Sequence, residues 1–257
     1  MSRLSESYAA LRSRNFRLWW GGQLISLFGT WMQSTAQGYL IYDLTRSPAQ
    51  LGLVAFFAGV PSWIFMLYAG VVADRLPQRR VLIGAQITMM LSALILSTLV
   101  FTGLVQPWHI WCLAFLTGIG NAFDAPSRQA FVPKLVPRED LTNAVAMNST
   151  MFNTASVVGP ALGGLVYAAW GPGWCFLLNA FSFLAIIGAL ASMRGLKHVT
   201  KDSHPAWEEL LEGFRYIAGE PLVKTLILFI AMMSLVGLSY ATMFPAWAVS
   251  VLHGDAR

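Results

Sequence analysis

The chain has 257 residues, of which 56% are hydrophobic and 11% charged, with a formal net charge of +5. An average soluble domain carries roughly 25% charged residues. Here they cluster between long runs that hold none, so a water-soluble globule is excluded. The basic excess follows from where Lys and Arg fall along the chain, and it implies no nucleic-acid partner.

A helix needs about 20 mostly apolar residues to cross a bilayer, and the sequence predicts spans at 18–42, 49–73, 81–104, 108–125, 141–169, 173–193 and 222–252. The first apolar run is too long for the core of a cleaved signal peptide. In that first span Gln23, Ser26, Thr30, Gln33, Ser34 and Gln37 fall within an arc of about 100° on a helical projection. Amides are costly against lipid, so this stripe is expected to face the bundle interior. Two readings stay open: hydrogen bonds between packed spans, or the lining of a water-filled pathway.

The second span contains Gly59-Val-Pro61 and is followed by Gly70, Asp74, Arg75, Pro77, Gln78, Arg79 and Arg80. A glycine there permits close helix approach. An Asp followed by several Arg marks helix ends, where the Asp opposes the positive end of a neighbouring helix and the Arg pair with carboxylates or lipid phosphate. The third span, 81–104, carries no charge. The fourth contributes Asn121 and leads into a connection read as starting at Asp124 and running through Arg128 and Lys134 to Arg138. No Asp, Glu, Lys or Arg is expected at mid-span.

The fifth span offers Asn143, Thr150, Asn153 and Thr154 as further polar positions, then Gly159-Pro160-Ala-Leu-Gly163-Gly164. Pro160 removes a backbone donor and bends the helix, while Gly159 and Gly163 form a GxxxG surface. The proline-containing second and fifth spans correspond if the first six are two inverted three-span repeats. After the sixth span, residues 194–221 form a long connection in which Trp207, Leu210, Leu211, Phe214 and Ile217 recur at helical spacing, predicting an amphipathic interfacial helix. The seventh span follows.

Of the 17 basic residues, all but Arg46 and Arg257 fall on one side of this topology. The positive-inside rule therefore predicts a cytoplasmic N-terminus. Cys112 and Cys175 sit in or beside spans as small apolar-tolerant residues, and no metal-ligand spacing, P-loop or catalytic-serine motif occurs. No cofactor, metal or enzymatic activity is expected.

Gly70, Asp74, Arg75 and Arg79 fall on the pattern G-x-x-x-D-R-x-G-R-R/K, and the chain thereby resembles the major facilitator superfamily. Pro77 replaces the usual Gly and Gln78 the usual Arg. The run Gly159-Pro160-x-x-Gly163-Gly164 is similar to the superfamily's exporter-associated motif, with Ala155 where a Gly would stand. The 124–138 connection, Asn143 and Leu44-Thr-Arg-Ser-Pro48 are similar to the branch of enterobactin exporters and related efflux proteins.

The resemblance implies an all-α polytopic membrane protein of major-facilitator type. Residues 1–193 would form a six-helix bundle, 194–221 a cytoplasmic linker, and 222–257 the first span of an incomplete second half of a twelve-span fold. It implies a secondary exporter of a small organic molecule, drug-like or siderophore, in a bacterial inner membrane. Alternating access would be driven by an ion gradient, with protons as coupling ion. It also implies a conformational motif at Gly70, Asp74, Arg75, Arg79 and Arg80 and a pathway lined from the first and fourth spans. A missing second half or a partner chain would then be needed. A non-transporting seven-span scaffold or receptor is the alternative.

Overall fold

The computed structural model describes residues 8–194, 215–237 and 247, and among these it contains helices and no strand. A 3-10 turn, Ala9–Arg12, precedes helices α1 (Arg14–Thr45), α2 (Pro48–Arg75), α3 (Gln78–Phe101), α4 (Pro107–Phe131), α5 (Leu141–Trp170), α6 (Pro172–Ser192) and α7 (Pro221–Gly237). Most of the 207–217 amphipathic stretch, and the seventh span from 238 onwards apart from Trp247, lie outside the described residues.

Local chemistry sets the boundaries. Ser13 caps α1 by accepting from Phe16 N, and Pro48, Pro107 and Pro172 open α2, α4 and α6, where a missing N–H is harmless. Leu76, held extended before Pro77, separates α2 from α3. Gly171 at φ 87 makes the turn between α5 and α6, a conformation that favours glycine.

The ends of α1 to α6 fall within four residues of the sequence expectation, except at the end of the fourth helix. The third helix ends at Phe101, and residues 102–104 turn back by bonds such as Gly103 N to Val100 O. The fourth runs to Phe131, six residues past the expected 125, carrying Pro126 inside it. A proline removes one backbone donor, and the contacts of Asp124 with Gln86 and of Arg128 with Asp124 flank it on this helix.

Helix contacts follow a regular exchange. The main pairs are α2 with α4, α1 with α6, α3 with α4, α3 with α6 and α1 with α5. Swapping α1 with α4, α2 with α5 and α3 with α6 maps this set onto itself. That is the contact pattern of two three-helix repeats, and it matches the correspondence read from the prolines of the second and fifth spans.

Small residues let the backbones approach. A Cβ on Gly118 of α4 would run into Ala58 O and Pro61 of α2, and one on Gly120 would meet Met89 of α3. Buried apolar clusters stand at both ends, Phe16, Trp19, Leu82, Phe131 and Leu190 at one, Ile41, Leu96, Ile110 and Phe176 at the other.

Outward faces are apolar: Trp63, Leu165, Phe181 and Leu184 are exposed. Pro48–Phe65 within α2, together with α3 and α6, is long and apolar enough to cross a membrane. The helices α1, α4 and α5 have 32, 25 and 30 residues. At about 1.5 Å per residue each is long enough to span the hydrocarbon.

Candidate functional site

The polar stripe of α1 divides into two environments. Gln23, Ser26 and Gln33 are buried, whereas Thr30 and Gln37 are half-buried and Ser34 is exposed. On the buried side, a Cβ at Gly22 would press on Ala185, Ile186 and Ala189, and one at Gly29 on Asn179 and Ser182, so this face meets α6. Gln33 lies in the same register and accepts a 2.7 Å hydrogen bond from Asn179 Nδ2, while Ser182 Oγ donates to Asn179 Oδ1 at 3.0 Å. This part of the stripe joins helices. Asn179 and Ser182 were not singled out in the sequence, although both interrupt an apolar run.

The remaining polar positions are placed differently. Asn121 of α4 and Thr150, Asn153 and Thr154 of α5 are exposed, as is Ser34. Thr30 and Thr150 satisfy their hydroxyls within their own helices, by donating to Ser26 O and Ala146 O at 2.9 and 3.0 Å. Back-bonded hydroxyls can face either lipid or a cavity at little cost. Asn143, in contrast, accepts from Ala10 N at 3.0 Å and fastens the N-terminal 3-10 turn to α5.

The glycine–proline run of α5 forms a surface against α1. In α5 the buried positions Met151, Ala155, Gly159, Gly163 and Tyr167 repeat every four residues. A Cβ on Gly159 would collide with Trp31, and one on Gly163 would meet Met32 O at 3.0 Å. Ala155 is fully buried in the same row, its methyl accommodated where a glycine was expected. Gly164 lies off this surface, with nothing within 4 Å of its Cβ position.

The loop between α2 and α3 is more structured than its charges indicate. Gln78, where an arginine would be usual, is buried; its Nε2 donates to Ala73 O at 2.7 Å, and its Oε1 accepts from Lys134 Nζ at 2.9 Å. Arg79 donates to Ala191 O and Met193 O at 2.7 and 3.1 Å, placing a cation on the terminal carbonyls of α6. That position satisfies orphan acceptors and opposes the negative end of the helix dipole.

Asp74, Arg75 and Arg80 are exposed, and among the described residues they have no ion pair. Gly70 has open space at its Cβ position, so close helix approach does not account for it among the described residues.

One acidic residue was assigned to a loop in the sequence and belongs to a helix. Asp124 lies inside α4, buried to 4% exposure. Its Oδ1 accepts from Gln86 Nε2 of α3 at 2.8 Å, and its Oδ2 stands 3.6 Å from Arg128 Nε. Beside it Gln86 Oε1 and Ser127 Oγ are buried without partners. At the opposite end of the bundle Tyr167 donates to Asp43 Oδ2 at 2.9 Å, joining α5 to α1. The described residues contain no cluster of metal-ligating side chains.

Comparison with known proteins gives a consistent result. The family described as transmembrane secretion effector matches residues 5–257. The chain is similar to macrolide efflux protein A of Streptococcus pyogenes, 27% identical over 171 residues, covering 66% of this chain and 41% of that protein. It is 24% identical over 246 residues to the staphyloferrin A transporter of Staphylococcus aureus, covering 94% of this chain and 61% of that protein. It is 26% identical over 238 residues to the enterobactin exporter EntS of Escherichia coli, covering 91% and 57%.

The chain thus spans between 41% and 61% of the length of these relatives. Its fold is that of a bacterial homologue of the human lysosomal transporter Spinster, solved inward-facing and unoccupied. The TM-score is 0.69 at 16% identity, covering 100% of this chain and 58% of that one.

Proposed function

The chain belongs to the transmembrane secretion effector family of the major facilitator superfamily, and on that footing we propose that it is a secondary active exporter of a small organic molecule. The observation that carries this reading is the family match over residues 5–257 together with efflux and siderophore-export proteins among its relatives. The α5 surface of Gly159 and Gly163 against α1 supports it.

In this proposal residues 1–193 are one six-helix unit, 194–221 a linker and 222–257 the start of a further helical unit. The N-terminus is cytoplasmic and the membrane is a bacterial inner membrane. Substrate passes along the exposed polar positions Ser34, Asn121, Thr150 and Asn153, with the partly exposed Thr30 and Gln37 of α1 beside them. Buried Gln23, Ser26 and Gln33 hold the wall in place. A bundle whose helices meet through glycine surfaces rocks as a rigid unit, which alternating access requires. Asp74, Arg75 and Arg80, exposed at the α2–α3 turn, act on the balance between conformations. The energy source is an ion gradient, with protons as the coupling ion.

Drug and siderophore accumulation in efflux-deficient bacteria expressing the protein tests the proposal. Lowered accumulation that collapses when the proton gradient is dissipated supports it, and parental accumulation of every compound contradicts it.

A further inference from the structure

At the end of the bundle that carries the N-terminus, two helices reach the last carbonyls of α6. Asn15 Nδ2 of α1 donates to Arg194 O at 2.9 Å, and Arg79 of α3 donates to Ala191 O and Met193 O. An exposed arginine adjoins each anchor in the chain: Arg14 next to Asn15, Arg80 next to Arg79, and Arg194 itself, whose carbonyl is the acceptor. Among the described residues none of these three has a carboxylate partner. Three exposed arginines at one junction, with no carboxylate partner among the described residues, offer a site for an anion, and their planar forks match phosphate oxygens.

The surface running away from this junction is apolar. Gly84, Ile87 and Leu91 are exposed on α3, and Gly188, Leu184 and Phe181 are exposed on the adjoining α6. A Cβ on Gly84 or Gly188 would find nothing within 4 Å. Both helices therefore leave open space within two turns of the arginines, with apolar side chains continuing beyond it. A cationic head and an apolar surface beyond it match the two parts of a phospholipid.

We propose that the α3–α6 face binds an anionic phospholipid, its phosphate held by Arg80 and Arg194 with Arg14 at the rim, and an acyl chain lying over Gly84 and Gly188. A zwitterionic lipid brings its own ammonium group towards three guanidiniums and is disfavoured. The site does not depend on which molecule the protein transports.

Native mass spectrometry of the purified full chain, after equilibration with mixed phosphatidylglycerol and phosphatidylcholine vesicles, tests this. Phosphatidylglycerol is expected to stay bound in preference to phosphatidylcholine. Arg80→Gln with Arg194→Gln should reduce retained phosphatidylglycerol about tenfold or more, since each basic residue near an anionic lipid surface contributes a factor of about five. Gly84→Leu fills the open space beside the arginines, leaves them intact and replaces glycine with a better helix former. It should lose the lipid while keeping the parental unfolding temperature in detergent.

Parental retention in both variants, or equal retention of phosphatidylcholine, would overturn the site. Displacement of the lipid by excess inorganic phosphate alone would show a free-anion site and overturn the lipid assignment.

Discussion

Gln86 Nε2 donates a 2.8 Å hydrogen bond to Asp124 Oδ1, tying α3 to α4 through a buried carboxylate. Asp124→Leu removes that acceptor, and Gln86, whose Oε1 is already without a partner, becomes unpaired at both ends of its amide. Leaving a buried polar group unsatisfied costs about 1–3 kcal/mol. Asp124→Asn keeps an oxygen in place and loses only the ion pair with Arg128. Thermal unfolding in detergent should rank parent above Asn above Leu. A Leu variant as stable as the parent would remove this bond from the account.

The same residue shows where the sequence was legible and where it was not. Apolar length located the helices, because crossing hydrocarbon leaves few alternatives. The sequence Asp124-Ala-Pro126 reads locally as a helix end, yet Ile110, Ala114, Asp124, Ser127 and Phe131 continue one buried face across the proline. That periodicity was present in the sequence, and Pro126 outweighed it. The Asn179–Gln33 bond was hidden for a different reason: its partners are 146 residues apart and nothing local pairs them. The correspondence of the second and fifth spans agrees with the helix contact pattern, but their glycines are not equivalent: Gly159 of α5 meets Trp31, whereas Gly59 of α2 has open space and the α2–α4 contact uses Gly118.

Substitutions along α5 separate its two glycine environments. Gly159→Ala places a methyl against Trp31 and Gly163→Ala one against Met32, whereas Gly164→Ala meets open space. Overpacking in a closely fitted core costs typically about 1–3 kcal/mol. In a detergent unfolding series Gly159→Ala should be the least stable and Gly164→Ala at or above parental stability, because alanine favours helix. Equal effects at all three positions would show that α5 is not fitted to α1.

Gln33 and Gln37 should behave differently although they share a stripe. Gln33→Leu loses its bond to Asn179, and such bonds between membrane helices average about 0.6 kcal/mol. A double-mutant cycle of Gln33→Leu with Asn179→Leu should give a coupling of that order, with substrate preference unchanged. Gln37→Leu, at a half-exposed position, should shift transport kinetics with little change in unfolding temperature. A zero coupling in the cycle would place Gln33 outside the α1–α6 contact.

Orientation is tested with single cysteines in a background where Cys112 and Cys175 are replaced. Leu76 and Leu104 are exposed at the two ends of α3. Leu76→Cys should react with an impermeant maleimide only from the cytoplasmic side, and Leu104→Cys only from outside. The reverse pattern would invert the topology and the placement of the α2–α3 turn with it.

Export itself is decided by reconstitution of the complete protein in proteoliposomes, loaded in turn with macrolides and siderophores and monitored under an imposed proton gradient. At least one compound is expected to move in the direction opposite to the protons, with the movement abolished by an uncoupler and reduced in the Asp74→Asn and Arg75→Ala variants without loss of inserted protein. Gradient-independent leakage alone, or parental rates in both variants, would contradict an exporter whose conformations are balanced by the α2–α3 turn.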